Sequence, residues 1–239
     1  MLNYRVDPAL LRSCVPAGTV LDTWKGEAYL SVVGFLFRRT RVLGFAIPWH
    51  QDFEEVNLRF YVRRELPSGE VRRGVTFIRE IVPRRAIATI ARLAYNEPYL
   101  ALPMRHQLGQ VTDLERAPGH VEFGWRQRRS SGWSLLQLET SGVAQPLVAG
   151  SEAEFITEHY WGYTRQRDGG TVEYEVTHPR WRTWAVERAT LTGDLAELYG
   201  PDFVRAVAGP PDSAFMAEGS PIEVYRPRRL VVRSESDRS

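Results

Sequence analysis

Cysteine and lysine are almost absent from this sequence, and each absence removes a class of chemistry. Of the 239 residues, only Cys14 is a cysteine and only Lys25 is a lysine. One cysteine can form neither an intramolecular disulfide nor a cysteine-cluster metal site. A mechanism that needs a lysine amine can use only Lys25, apart from the terminal amine of the chain. Because Lys25-Gly26 is predicted to be an exposed hairpin turn, we interpret this lysine as solvated rather than reactive.

The sequence also lacks a strong net charge and any long apolar run. Its 31 basic and 29 acidic residues leave a formal net charge of +2, which is too small to predict a nucleic-acid or membrane partner. The N-terminal segment carries Arg5, Asp7 and Arg12, so it matches neither a signal peptide nor a membrane span. We therefore expect a cytoplasmic protein with no nucleic-acid and no membrane partner. A homo-oligomer is compatible with the sequence.

No motif for a cofactor or a metal is present. The sequence contains no glycine-rich phosphate loop, no dinucleotide-binding fingerprint and no serine nucleophile elbow. Its histidines are too scattered for helical or turn spacing, although distant segments could still bring metal ligands together. The histidines are His50, His106, His120, His159 and His178. We expect no cofactor and no metal.

Strand patterns dominate the chain. About ten runs rich in β-branched and aromatic residues alternate with turn signals such as Asp168-Gly169-Gly170. The predicted helices are residues 7–14, 83–94, 151–158 and 194–199. This pattern predicts an α+β chain made mainly of antiparallel sheet that curls into an open β-barrel. Residues 1–225 should form a single domain, and the arginine- and serine-rich tail 226–239 should be disordered.

Residues 53–62 have the two-residue period of a strand and two contrasting faces. The apolar face, which should be core, carries Val56, Leu58, Phe60 and Val62. The polar face combines an acid, an amide, a guanidinium and a phenol with one aromatic ring, and it carries Phe53, Glu55, Asn57, Arg59 and Tyr61. Such a face suits either a solvated sheet surface or the wall of a polar cavity. The pattern alone favours the solvated surface, because antiparallel sheets commonly expose one side to water.

A second strand, predicted at residues 73–82, places two charged residues in an otherwise apolar run. Strict alternation puts Val75, Phe77 and Arg79 on one face and Glu80 on the other. Each of these two charges must lie at an edge, in a pair or in a cavity.

Several segments together resemble the YqjF-like family of uncharacterised bacterial proteins. The matching segments are Trp24 with residues 26–29, residues 55–62, Ala91-Arg92 with Pro98-Tyr99, Gly150-Ser151 before Phe155 and Tyr160, and His178-Pro179 with Trp181. The resemblance covers residues 1–192, and residues 55–62 are its most specific part. It implies the open β-barrel of acetoacetate decarboxylase with a polar cavity inside, so that the polar face of residues 53–62 points inward.

The same resemblance carries a departure at the catalytic position. Acetoacetate decarboxylases have an arginine-glutamate pair, then a glycine-phenylalanine-proline, then the lysine that forms the Schiff base. This sequence matches at Arg92 and Pro98, but Leu93 replaces the glutamate and Tyr99 replaces the lysine. Tyrosine cannot form an iminium with a ketone, so we expect no Schiff-base decarboxylase activity.

Three hypotheses remain for the polar face. In the first, a small anion such as a carboxylate or keto acid binds to residues that offer guanidinium, amide, carboxyl and phenol groups, namely Glu55, Asn57, Arg59, Tyr61, Arg92 and Tyr99. In the second, a lysine-independent lyase or isomerase uses Tyr99 or Glu55 as general acid or base, and a nearby arginine lowers the pKa of the tyrosine. In the third, Glu55 and Arg59 form an ion-pair network that serves only the fold.

Overall fold

The computed structural model describes residues 1–37, 41–42, 45–46, 53–84, 88–89, 96–109, 116–127, 129 and 132–230. Most of the helix predicted at residues 83–94 lies outside these residues, and so do Arg92 and Leu93. Arg92 therefore stays a prediction. Within the described residues, no helix is both long and apolar enough to cross a membrane.

Strands make up most of the described chain. In chain order they are Leu2–Val6 (β1), Val20–Leu21 (β2), Ala28–Phe37 (β3), Arg41–Val42 (β4), Phe45–Ala46 (β5), Phe53–Glu65 (β6), Val71–Val82 (β7), Tyr99–Ala101 (β8), Met104–Leu108 (β9), His120–Trp125 (β10), Ser134–Gln145 (β11), Trp161–Arg165 (β12), Thr171–Thr177 (β13), Thr183–Thr192 (β14), Ser213–Ala217 (β15), Glu223–Val224 (β16) and Arg228–Leu230 (β17). The helices are Pro8–Leu11 (α1), Glu152–Thr157 (α2) and Ala196–Val207 (α3), and a 3₁₀ turn covers Arg12–Cys14.

Fifteen of these strands form one sheet, in which almost all neighbouring pairs are antiparallel. Its order is β16-β13-β12-β7-β6-β3-β1-β15-β14-β11-β10-β9, with β17 added to β13, β2 to β6 and β8 to β7. Only β12 and β8 pair in parallel fashion, both with β7. The prediction of a mainly antiparallel α+β chain is confirmed. The predicted barrel overstates the closure of the sheet. The strand order has two ends, and the sheet among the described residues is not closed.

Local signals in the sequence set several boundaries correctly. Asp7 caps α1 by accepting a hydrogen bond from the backbone N–H of Ala9 at 2.8 Å, and Ser151 caps α2 in the same way. Lys25 and Gly26 have φ angles of 53° and 86°, as a two-residue hairpin turn requires. Lys25 is therefore exposed at a turn, as predicted.

The predicted tail begins too early. Arg228–Leu230 forms β17 on β13, and Leu230 is only 7% exposed within the main core. Arg229 also pairs with Asp168 at the β12–β13 turn. The arginine-rich composition suggested disorder, but one buried leucine and one ion pair hold this short strand on the sheet.

The apolar face of β6 is the centre of the core. Val56, Leu58, Phe60 and Val62 are all fully buried, and they pack with residues of β1, β3, β10 and α3. This confirms the predicted orientation of the strand, because residues of opposite parity must then lie on the other side of the sheet.

A register irregularity between β6 and β7 changes which residues share that other side. Leu58 pairs with Arg79, but Arg59 pairs with Phe77, so Ile78 is an extra residue in β7. The bulge turns Phe77 to the same side as Glu80, which pairs with Asn57. The prediction that Phe77 and Glu80 face opposite sides is wrong, because strict alternation does not survive a bulge.

Gly162 of β12 leaves room for a tyrosine of the neighbouring strand. A Cβ atom at this position would lie 2.1 Å from Cζ of Tyr174, whose ring is buried and whose hydroxyl donates to Glu97. The ring cannot move away without losing that hydrogen bond.

We predict that Gly162→Ala lowers the free energy of unfolding by about 1–3 kcal/mol, since overpacking forces the tyrosine to shift. Thermal unfolding should show a fall of roughly 3–10 °C in Tm. Gly209→Ala is the matched control, because a Cβ there meets no atom within 4 Å. Equal Tm values for the two variants would contradict the close packing.

Candidate functional site

The polar face of β6 is buried rather than solvated. Glu55, Asn57 and Tyr61 are each 1% exposed, and Phe53 is 6% exposed. Tyr61 packs with Phe155 of α2, which covers this side of the strand. The solvated alternative that the pattern favoured is therefore wrong, since long side chains from other segments cover the face.

Two hydrogen bonds hold Glu55. Asn57 Nδ2 donates to Oε1 at 3.1 Å, and the Tyr99 hydroxyl donates to Oε2 at 3.1 Å. Burial raises the pKa of Glu55 to about 7, although these hydrogen bonds and the charge of Arg59 oppose the rise. A carboxyl group with this pKa can exchange a proton near neutral pH.

Two further glutamates join this group. Glu80 and Glu97 are 1% and 6% exposed. Asn57 pairs with Glu80, and Glu80 pairs with Tyr99. Asn57, Glu80 and Tyr99 therefore lie in one row across β6, β7 and β8. Glu97 accepts hydrogen bonds from the hydroxyls of Tyr174 and Thr164. We call Glu55, Glu80 and Glu97 the acid cluster.

Protons are shared unevenly within the acid cluster. Burial and the neighbouring charges of Glu97 and Glu55 raise the pKa of Glu80 well above its usual value. Burial, together with the charge of Glu55, raises the pKa of Glu97 to about 7. The raised pKa favours the protonated form of Glu80, which can donate a hydrogen bond, while the pKa values of Glu55 and Glu97 lie near 7.

Tyr99 is a hydrogen-bond donor rather than a base. Burial and the charges of Glu55 and Glu80 raise its pKa well above the usual value. The second hypothesis predicts that an arginine lowers the pKa of Tyr99, but the three carboxyl groups around Tyr99 raise it. Of the two candidate acid–base residues, Glu55 is the one that titrates near neutral pH.

Arg59 and Tyr61 occupy the other half of the face. Arg59 Nη2 donates to the carbonyl oxygen of Ile156 at 3.4 Å, and its guanidinium carbon lies 5.7 Å from the centre of the Tyr61 ring. The Tyr61 hydroxyl donates to Ser31 Oγ at 2.7 Å. Among the described residues, Glu55 accepts hydrogen bonds from Asn57 and Tyr99 rather than from Arg59, the partner in the predicted ion pair.

Sequence reasoning missed Glu80 as a site residue, and it missed Glu97 and Tyr174 entirely. Glu80 did carry a signal, because a glutamate inside an apolar strand needs a cavity or a partner. Glu97 and Tyr174 carried none, since each becomes relevant only when β8 and β13 are brought to β7. Within the described ranges, no group of three or more His, Cys, Asp or Glu side chains is arranged to hold a metal ion.

The chain belongs to the DUF2071 family, described as an uncharacterised conserved protein family, whose profile matches residues 1–221. A relative is the uncharacterised protein YqjF of Bacillus subtilis strain 168. The two are 23% identical over 202 aligned residues, and the alignment covers 83% of this chain and 77% of that protein. The resemblance drawn from the sequence segments is thereby confirmed.

Solved structures share the fold. Acetoacetate decarboxylase from Legionella pneumophila superposes with a TM-score of 0.58 at 13% identity, over 96% of this chain and 83% of that one. The enduracididine biosynthesis enzyme MppR, complexed with pyruvate, superposes with a TM-score of 0.57 at 14% identity, over 89% and 79%. At these identities the likeness establishes the acetoacetate-decarboxylase-like fold and nothing about activity.

The acid cluster predicts a pH-dependent effect of Glu55→Gln. A carboxyl with a folded pKa near 7 contributes stability at low pH, and that contribution is lost as the pH rises from about 4.5 to 7. The amide cannot ionise, so the variant should gain about 1–3 kcal/mol over the native protein at pH 8 relative to pH 5.

Thermal unfolding at both pH values measures this gain. Glu65→Gln is the control, because Glu65 lies on the same strand but is exposed. A Tm difference between Glu55→Gln and the native protein that is the same at pH 5 and pH 8 would show that Glu55 is not held near its titration point.

Proposed function

We propose that this chain is a cytoplasmic protein that binds a small carboxylate or keto acid on the buried face of β6, and that it does so without Schiff-base chemistry. The observation that carries the proposal is a row of buried polar atoms with no hydrogen-bond partner among the described residues. They are Asn57 Oδ1, Arg59 Nε and Glu80 Oε2. Folded proteins rarely leave such atoms unpaired, because each costs about 1–3 kcal/mol.

The chemistry of these atoms matches a small acid. Arg59 Nε is a charged donor and suits a carboxylate oxygen. Glu80, whose pKa is raised by its surroundings, can in its protonated form donate to a carbonyl oxygen. Arg59 and Glu80 lie on the same side of adjacent strands, so one short molecule could contact both. The pyruvate complex of MppR, which has the same fold, is consistent with a keto-acid ligand.

The position of the one lysine supports the proposed absence of Schiff-base chemistry. Lys25 is exposed at the β-turn, with its ammonium 4.3 Å from the centre of the Trp24 ring. A nucleophilic lysine needs a lowered pKa, which desolvation or a neighbouring cation supplies. Tyr99, at the position where the related decarboxylases carry their lysine, has no amine to offer.

A second candidate function is lysine-independent acid–base catalysis on the same ligand. The pKa values of Glu55 and Glu97, both raised to about 7, favour it, since general acids and bases work best near the ambient pH. Glu55 would then move the proton of an enolisable substrate, and Arg59 would stabilise the developing oxyanion.

Arg59→Met should abolish carboxylate binding while the protein stays folded. At pyruvate concentrations ten times Kd, ligand stabilisation of the native protein is about 1.4 kcal/mol. A thermal-shift measurement should therefore record a Tm rise of roughly 3–5 °C for the native protein and none for the variant.

Arg188→Met is the matched control, because the Arg188 side chain is 73% exposed and far from this face in sequence and strand order. It should keep the native response to pyruvate. If no small carboxylate raises the native Tm at millimolar concentration, the face is a structural network. A large loss of ligand-free stability in Arg59→Met would point to the same reading.

Incubation with acetoacetate and borohydride should leave the mass of the protein unchanged. Reduction would trap an iminium only if the Lys25 amine or the terminal amine had condensed with the ketone. Intact-mass spectrometry checks this, and a covalent adduct on Lys25 would contradict the expectation.

A further inference from the structure

A buried histidine contacts the Tyr61 end of the polar face. His159 lies just after α2 in the sequence. The centroid of its ring is 4.7 Å from that of Tyr61 and 5.2 Å from that of Phe155. Its side chain is 1% exposed. Arg59 lies over the same Tyr61 ring. The imidazole and the guanidinium therefore meet at one aromatic side chain.

Asp22 determines which nitrogen of His159 carries the proton. Its Oδ2 lies 3.2 Å from His159 Nε2 and 2.6 Å from Arg73 Nε, and its Oδ1 lies 3.7 Å from Arg63 Nη1. Burial opposes ionisation, but hydrogen bonds from His159 and Arg73 lower the pKa of Asp22. An ionised carboxylate can only accept, so Nε2 must be the protonated nitrogen.

His159 Nδ1 is consequently a buried acceptor. Burial and the nearby Arg73 and Arg59 charges lower the pKa of His159 to about 4 despite Asp22, so the ring is neutral at neutral pH. With its one proton on Nε2, the ring presents a lone pair at Nδ1. That atom has no hydrogen-bond partner among the described residues.

We propose that His159 Nδ1 accepts a hydrogen bond from a hydroxyl group of the ligand, and that among small carboxylates this site prefers 2-hydroxycarboxylates. The inference rests on the proposed function, since it places the ligand carboxylate on Arg59. Arg59 Nε needs an acceptor and His159 Nδ1 needs a donor, and both groups contact Tyr61. A carboxylate with a hydroxyl on the next carbon supplies both, whereas a keto acid supplies no donor. Asp22 is the positioning residue that fixes the tautomer.

The test compares lactate with propionate, which differ only by the 2-hydroxyl group. Isothermal titration of the native protein should give a Kd for lactate about tenfold lower than for propionate, as one buried hydrogen bond provides. His159→Phe, which keeps a ring beside Tyr61 and Phe155, should reduce this ratio to less than twofold and leave propionate binding unchanged. His106→Gln is the control, because His106 is an exposed histidine paired with Glu54, and it should keep the native ratio.

The outcomes separate this inference from the proposed function. Binding of propionate and pyruvate with no preference for lactate would overturn the inference and leave the proposed function standing. Failure of all three acids to bind would overturn both. A native preference that persists in His159→Phe would assign the hydroxyl to another acceptor and would also overturn the inference.

A second measurement applies even if His159→Phe does not fold. Two-bond nitrogen–proton spectra of the native protein should show His159 with its proton on Nε2, and lactate should shift the Nδ1 resonance while propionate does not. A proton on Nδ1, or an Nδ1 resonance that ignores lactate, would overturn the inference. Asp22→Asn should shift the ring toward the other tautomer, a change that a purely structural role of Asp22 would not produce.

Discussion

Desolvation of three carboxyl groups is the constraint on which this structure depends. Glu55, Glu80 and Glu97 lie on or beside the middle of the sheet, where each ionised group loses its hydration. Side chains from three strands donate hydrogen bonds to two of these carboxyl groups. Glu55 accepts from Asn57 of β6 and Tyr99 of β8, and Glu97 accepts from Tyr174 of β13. Protonation reduces the remaining cost of desolvation, since neighbouring carboxyl groups cannot all be ionised together.

The sheet topology brings these donors and carboxyl groups together. β8 and β12 both join β7 in parallel pairings, which differ from every other strand pair of the main sheet. These two pairings bring the segment before β8 and the tyrosine of β13 close to Glu80. The bulge in β7 keeps Phe77 on the same side, where it packs against the apolar cluster that contains Tyr61. Burial of this kind lowers stability, and proteins commonly tolerate that loss at functional sites.

The chain combines a fold shared with solved enzymes and its own set of buried polar groups. The chain has the acetoacetate-decarboxylase-like fold, and its one lysine lies at an exposed turn. The face combines the guanidinium of Arg59 with three buried carboxyl groups whose pKa values are raised. One fold can host different reactions because the chemistry depends on a few side chains that the sheet positions.

The sequence alone determined the elements and the two faces of β6. Alternating apolar residues and turn chemistry are local signals, and they predicted the buried side of the strand, the Lys25-Gly26 turn and the caps at Asp7 and Ser151. Only the tertiary structure decided whether the polar face is wet or buried, which acids cluster there, and that Asp22 orients His159. Those features depend on contacts between residues far apart in the sequence, such as Glu80 with Tyr99, 19 positions apart, and Asp22 with His159, 137 positions apart, and on a one-residue bulge. A single extra residue reverses side-chain alternation, and no local pattern in this sequence marks where that reversal falls.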